Sequence, residues 1–99
     1  MITSKQRATL RKLGHDLDTI YQIGKGGMGE EMLKGIEAAL EARELIKLRT
    51  LDNCEYGPKE AANLIAEAVG ADVVSVVGSR FILYKQSSKE KNRKYSTQI

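Results

Sequence analysis

Scarcity is the first thing this sequence shows. It has no tryptophan and a single phenylalanine, histidine, cysteine and proline. A lone cysteine, Cys54, cannot close an internal disulfide, which fits a reducing, cytoplasmic setting. One cysteine and one histidine cannot build a His/Cys metal cluster within one chain. A serine or cysteine nucleophile would have only His15 as an imidazole base. His15 falls near Arg11 on a helical wheel, where an exposed histidine beside a phosphate is the simpler reading. Glu30/Glu31 and Asp16/Asp18 read as solvated helix ends, so no acid–base pair, no catalytic residue and no cofactor are expected. Long apolar runs are absent too. Phe81-Ile82-Leu83-Tyr84 is far below the roughly 18 residues that span a bilayer, so no membrane partner is expected. The opening Met1-Ile2-Thr3-Ser4-Lys5 has no apolar core of a secretory signal. Aromatic residues are 5% of the chain, too few for a sheet of base-stacking aromatics of the RRM kind.

What is present fits one globular domain. Ninety-nine residues, 41% hydrophobic and 29% charged, can close a single small core. They are too few for a barrel or a two-domain enzyme. The net charge is +3 but unevenly spread. Residues 1–12 carry Lys5, Arg7, Arg11 and Lys12 with no acid. Residues 85–99 carry Lys85, Lys89, Lys91, Arg93 and Lys94 against Glu90. Each end is therefore +4 and the middle −5. Basic ends around an acidic middle point to a polyanion partner, with solubilising ends as the plain alternative.

Local signals give the elements. Thr3 and Gln6 form a capping box, followed by Leu10, Leu13 and Leu17 at helical spacing. Gly14 and the Asp16/Asp18 pair mark the fraying end of this helix. Thr19–Ile23 reads as a strand. Residues 29–43 read as a helix with Met32, Leu33, Ile36, Ala39 and Leu40 on one face; Glu30 and Lys34 form an i,i+4 pair. Leu45–Leu51 reads as a strand with Lys47 and Arg49 on one side. Pro58 opens a third helix that Gly70 closes. Asp72–Val77 and Phe81–Lys85 form a hairpin across Gly78-Ser79, with Phe81 and Tyr84 as core. The expected fold is α/β, an α+β two-layer arrangement in the order α-β-α-β-α-β-β, with a four-stranded mixed sheet and three helices. Residues 1–85 form one domain, and residues 86–99 read as a basic mobile tail.

The central motif is Gly24-Lys25-Gly26-Gly27-Met28-Gly29, between a strand and a helix. Glycines let the backbone approach a bound group, and the helix start offers free N–H donors. Such a site suits an anion, usually phosphate. The alternative is a tight turn without a ligand. A P-loop is excluded because Gly26, not serine or threonine, follows Gly24-Lys25. A dinucleotide fingerprint matches Gly24-x-Gly26-x-x-Gly29, with Asp52 near the place of a ribose-binding acid. Against it, the chain is too short for two mononucleotide halves, and a helix precedes the first strand. Gly24-Lys25-Gly26-Gly27 is also a G-x-x-G loop of the kind that clamps an RNA backbone.

The motifs Ile23-Gly24-Lys25-Gly26-Gly27, Ala42-Arg43-Glu44-Leu45-Ile46-Lys47, Asn53-Cys54, and Val77-Gly78 leading to Ile82-Leu83-Tyr84 match a known pattern in order and spacing. Over about residues 2–85 the chain resembles the CRM domain family (chloroplast RNA splicing and ribosome maturation), most of all its stand-alone bacterial YhbY-type members. The resemblance implies a fold similar to the C-terminal domain of translation initiation factor three. It implies RNA binding, with precursors of the large ribosomal subunit as partners, and it assigns RNA contact to Gly24, Lys25, Gly26 and Gly27. The family usually has threonine where this chain has Gly29, which affects the helix cap more than the loop.

The expectation is thus a monomeric, non-enzymatic, cytoplasmic RNA-binding protein of ribosome assembly, without DNA specificity. Gly24, Lys25, Gly26 and Gly27 would hold the RNA backbone, and Lys5, Arg7, Arg11 and Lys12 would extend the contact. Lys47, Arg49, Lys85 and Lys89 are further candidates. Two other readings stay open: a protein-interaction module using Glu37 and Glu41 of the second helix, and a small nucleotide-binding protein using Gly24–Gly29.

Overall fold

The first helix, α1 (Ser4–Gly14), opens on the expected capping box. The Thr3 hydroxyl accepts from the Gln6 N–H at 3.1 Å, and the Gln6 carboxamide accepts from the Thr3 N–H at 2.9 Å. This computed structural model describes residues 1–99. The remaining elements are β1 (Thr19–Ile23), α2 (Glu30–Arg43), β2 (Leu45–Thr50), α3 (Pro58–Val69), β3 (Asp72–Val77) and β4 (Arg80–Tyr84). Pro58 sits in the first turn of α3, and Gly70 ends it in the left-handed conformation at φ 72°.

One mixed sheet runs in the order β1-β2-β4-β3. β1 pairs with β2 in parallel; β4 pairs antiparallel with both β2 and β3. The three helices and four strands are those expected, but the layering is fuller than two layers. Strand alternation decides this. Ile46, Leu48, Phe81 and Leu83 point to one face and pack with Ile36 and Leu40 of α2 and Ala61 and Ile65 of α3. Leu45, Ile82 and Tyr84 point to the other and pack with Leu10 of α1. Both faces are apolar enough to need a cover, so α1 crosses the side that α2 and α3 leave open.

Gly14 is where α1 touches down. It is buried, and a β-carbon there would stand 2.9 Å from Cδ1 of Ile82 and 3.3 Å from its Cγ2. The glycine that reads as a fraying helix end is a close-packing point. Gly14→Val should therefore overpack the site, costing about 2 kcal/mol and lowering the melting temperature by about 10 °C. A thermal melt checks this; an unchanged midpoint would mean that α1 lifts freely.

Residues 86–99 depart most from expectation. They do not hang free; they fold back as two short 3₁₀ turns, Glu90–Asn92 and Ser96–Gln98. Two carboxylates hold them. Glu44, with no exposed surface, accepts from the N–H groups of Ser87 at 2.8 Å, Tyr95 at 2.9 Å and Ser96 at 3.0 Å, and from the Ser96 hydroxyl. Glu41 accepts from the Ser88 N–H at 2.8 Å, the Lys89 N–H at 3.2 Å, and the hydroxyls of Ser87 and Ser88. Tyr95 joins the apolar cluster under α1, with Ile99 beside it. The Tyr84 and Ser96 hydroxyls share a hydrogen bond of 2.6 Å. Glu44 is the only non-glycine residue with positive φ, 67°, at the junction of α2 and β2.

These contacts move proton affinities. Burial pushes the Glu44 carboxyl up, but the hydrogen bonds from Ser96, Ser87 and Tyr95 outweigh it and hold the group below its ordinary value. The Ser88 hydroxyl does most to hold Glu41 low, against a smaller opposing effect of burial. Burial raises the Tyr84 phenol, with the Ser96 hydrogen bond opposing.

Candidate nucleic-acid interface

The pleat of β2 turns Lys47 and Arg49 to the same face as Leu45, the face that α1 covers only in part. Register then adds a residue that the sequence reading missed. Arg49 lies opposite Arg80 of β4, and Lys47 opposite Ile82. Arg80 opens β4 and shares the parity of Ile82 and Tyr84, so its face was legible once the strand was read; its neighbours were not. Like charges opposite one another cost stability in a bare sheet. Here no carboxylate compensates them, and the sole ion pair in the structure joins Lys34 to Glu30 on α2 at 3.6 Å.

A groove of about 930 Å³ runs between α1 and this part of the sheet. Arg11, Lys12 and His15 line it from the α1 side, and Lys47 and Arg80 from the sheet. Asp16 is the one acid in its wall. Lys47 donates to the carbonyl of His15 at 2.7 Å, which fixes its ammonium beneath the end of α1. That carbonyl belongs to the helix C-terminus, where the dipole favours a cation. Two of the three ammonium donors of Lys47 remain for another acceptor.

The glycine loop lies at the end of the sheet that Arg49 approaches. Arg49 pairs in register with Gln22, and Gly24 follows Ile23 at the end of β1. A β-carbon at Gly24 would meet the Asn53 carboxamide at 3.2 Å, so the loop rests against the segment after β2. Arg49, Asn53 and Ser79 line a hollow of about 410 Å³ at this end, with Asp52 as the one carboxylate in its wall. The Arg49 Nε–H is buried there without an acceptor. Such donors are rare in folded proteins, and this one marks a place where an anion would be stabilised.

Within the loop, the Gly27 N–H donates to the Gly24 carbonyl at 3.1 Å, closing a turn over exposed Lys25. Gly26 takes φ 96° and Gly27 φ 63°, and a β-carbon at either would meet nothing within 4 Å. The glycines thus serve backbone conformation and leave the space above the turn open. Gly29 caps α2 without a side-chain hydrogen bond, so no capping side chain occupies the first amides of the helix.

The other sequence candidates are placed differently. Lys5 is exposed on α1 outside the groove. Arg7 donates from Nε to the Val73 carbonyl at 3.2 Å, tying α1 to β3. Lys85 donates to the Val69 carbonyl at 2.9 Å and closes the end of α3. Lys89 gives its backbone N–H to Glu41 and leaves its side chain exposed. The structure therefore gathers Arg11, Lys12, Lys47 and Arg80 in one groove, carries the charge through Arg49 toward Gly24–Gly27, and leaves Lys5, Arg7, Lys85 and Lys89 outside it. The three-dimensional signal absent from the sequence is the β2–β4 register.

A Staphylococcus aureus protein solved in solution superposes with a TM-score of 0.78 at 44% identity, covering 95% of this chain and 98% of that one. A Bacillus subtilis protein named a probable RNA-binding protein is 42% identical over 91 residues, 92% of this chain and 95% of its own length. A Haemophilus influenzae protein named an RNA-binding protein is 30% identical over 90 residues, 91% of each chain. The model of the CRS1/YhbY (CRM) domain matches residues 2–85. With residues 2–85 matched by the family model and its fold shared over nearly its whole length with the Staphylococcus aureus protein, the chain belongs to the CRS1/YhbY (CRM) domain family.

Proposed function

We propose that this protein binds ribosomal RNA and assists assembly of the large ribosomal subunit in the cytoplasm, as a monomer and without catalysis. The RNA backbone lies in the groove between α1 and the sheet and reaches the Gly24–Gly27 loop. The observation that carries this reading is the run of cations with no carboxylate partners: Arg11, Lys12, Lys47 and Arg80 in the groove, then Arg49 with its unsatisfied Nε–H. Relatives named as RNA-binding proteins support it. Phosphate contacts supply most of the affinity in such an interface, and the lack of a fully exposed aromatic side chain favours recognition of backbone and shape.

The two other readings lose ground. The acidic surface of α2 is smaller than its sequence suggests, because Glu41 is occupied by the C-terminal segment. The sheet has only one parallel pair, β1–β2, with β1 at an edge. A dinucleotide fold needs a parallel core with a switch point.

The loop's share is tested by Lys25→Glu. Lys25 is exposed, so the fold should hold. Affinity for ribosomal RNA fragments, measured by gel shift or fluorescence anisotropy, should fall on the order of 10-fold. Unchanged binding would reduce the loop to a turn and leave the groove to act alone.

A further inference from the structure

Past Lys47 the α1 face continues into a second hollow, of about 350 Å³. It lies where the chain after α1, β1, the last turn of α2 and the folded C-terminal segment meet. Leu17, Ile20 and Tyr95 give it apolar wall; Arg43, Lys47 and Lys94 give it positive charge. The Lys94 ammonium stands 5.5 Å from the centre of the Tyr95 ring. Neither Arg43 nor Lys94 is in an ion pair, and both are exposed. Asp18 is the one carboxylate in the wall.

We propose that this hollow is a second RNA subsite, taking a further nucleotide of the single strand that occupies the α1 groove. The inference rests on the RNA-binding reading and extends it. Continuity carries it first, since Lys47 lines both hollows. Composition carries it second. An apolar wall with an aromatic residue beside several cations suits a base and its phosphates together. The volume lies at the lower end of the range for small-ligand sites, about 300–1,000 Å³. Asp18 disfavours phosphate on its own side and leaves the Arg43 and Lys94 side to it. The C-terminal segment supplies Lys94 and Tyr95, so the hollow exists only while Glu41 and Glu44 hold that segment in place.

The test compares the wild type with Arg43→Ala/Lys94→Ala, using oligouridylates of about 6 and about 14 nucleotides, lengths that span small single-strand sites. Thermal melts first establish that the variant folds. The wild type should bind the longer strand more tightly than the shorter. The variant should lose about 10-fold of that gain, and its salt slope on the longer strand should flatten by about 1.4, for two lost phosphate contacts. An equal gain and slope in the variant would overturn the second subsite and leave the α1 groove standing. Polyglutamate that binds the wild type but not the variant, and does so without displacing the longer strand, would also overturn it, assigning the hollow to an acidic protein. Absence of salt-sensitive binding to either strand by the wild type would overturn the RNA-binding reading itself, and this inference with it.

Discussion

Removing residues 86–99 should lower the melting temperature by roughly 20 °C, from a loss of about 3–5 kcal/mol. The loss has two sources. Tyr95, 8% exposed, and Ile99 leave the cluster formed by Leu10, Leu45, Val74, Ile82 and Tyr84, which then meets water. The hydrogen bonds to Glu41 and Glu44 go as well. A domain of this size is stable by only about 5–15 kcal/mol, so the change is a large part of the total. A freely mobile tail would cost nothing on removal, and an unchanged midpoint would restore that view. Glu44→Gln in the full chain isolates the electrostatic part. The buried amide would set its own N–H groups against the donors of Ser87, Tyr95 and Ser96. The expected cost is about 3 kcal/mol, since buried donors lose a charged acceptor.

The same contact gives stability a sign with pH. The folded Glu44 carboxyl titrates below its ordinary value of 4.5. Its contribution is therefore complete above the unfolded value and is lost as pH falls through the folded value. Acid melts should show the wild type losing midpoint below about pH 5. Glu44→Gln should flatten that part of the profile.

The largest effect on binding should come from salt. Six cations, Arg11, Lys12, Lys25, Lys47, Arg49 and Arg80, line the groove and loop. If each neutralises one phosphate of single-stranded RNA, log K should fall against log[salt] with a slope near −4. Raising salt from 50 to 200 mM would weaken binding on the order of 300-fold. Arg11→Glu/Arg80→Glu should lower affinity on the order of 100-fold at low salt and flatten the slope by about 1.4. Both side chains are exposed, so the melt should hardly move. A slope near zero in the wild type, or full binding by the double variant, would sink the account of the groove.

Of the fold, the parts written locally were legible. The Thr3–Gln6 capping box, Pro58 at the start of α3 and Gly70 at its end specify helix boundaries from neighbouring residues alone. Alternation in β2 already separated Lys47 and Arg49 from Ile46 and Leu48. The glycine spacing announced a turn with positive φ, and Gly26 and Gly27 adopt it.

What the sequence could not decide was which distant residues share a surface. Arg80 became part of the groove only through the register that sets it opposite Arg49, a pairing of residues 31 positions apart. Gly14 reads as a weak helix end because its meaning lies in Ile82, across a layer. Residues 86–99 read as a loose tail because their few apolar side chains cannot bury themselves alone. Their partners are two carboxylates more than 40 residues earlier. The elements, the glycine loop and the supply of positive charge depend on residues within a turn or two of one another, and so could be read along the chain. The gathering of that charge into a groove and the docking of the C-terminal segment depend on contacts between residues that the chain keeps far apart, and so emerge only in three dimensions.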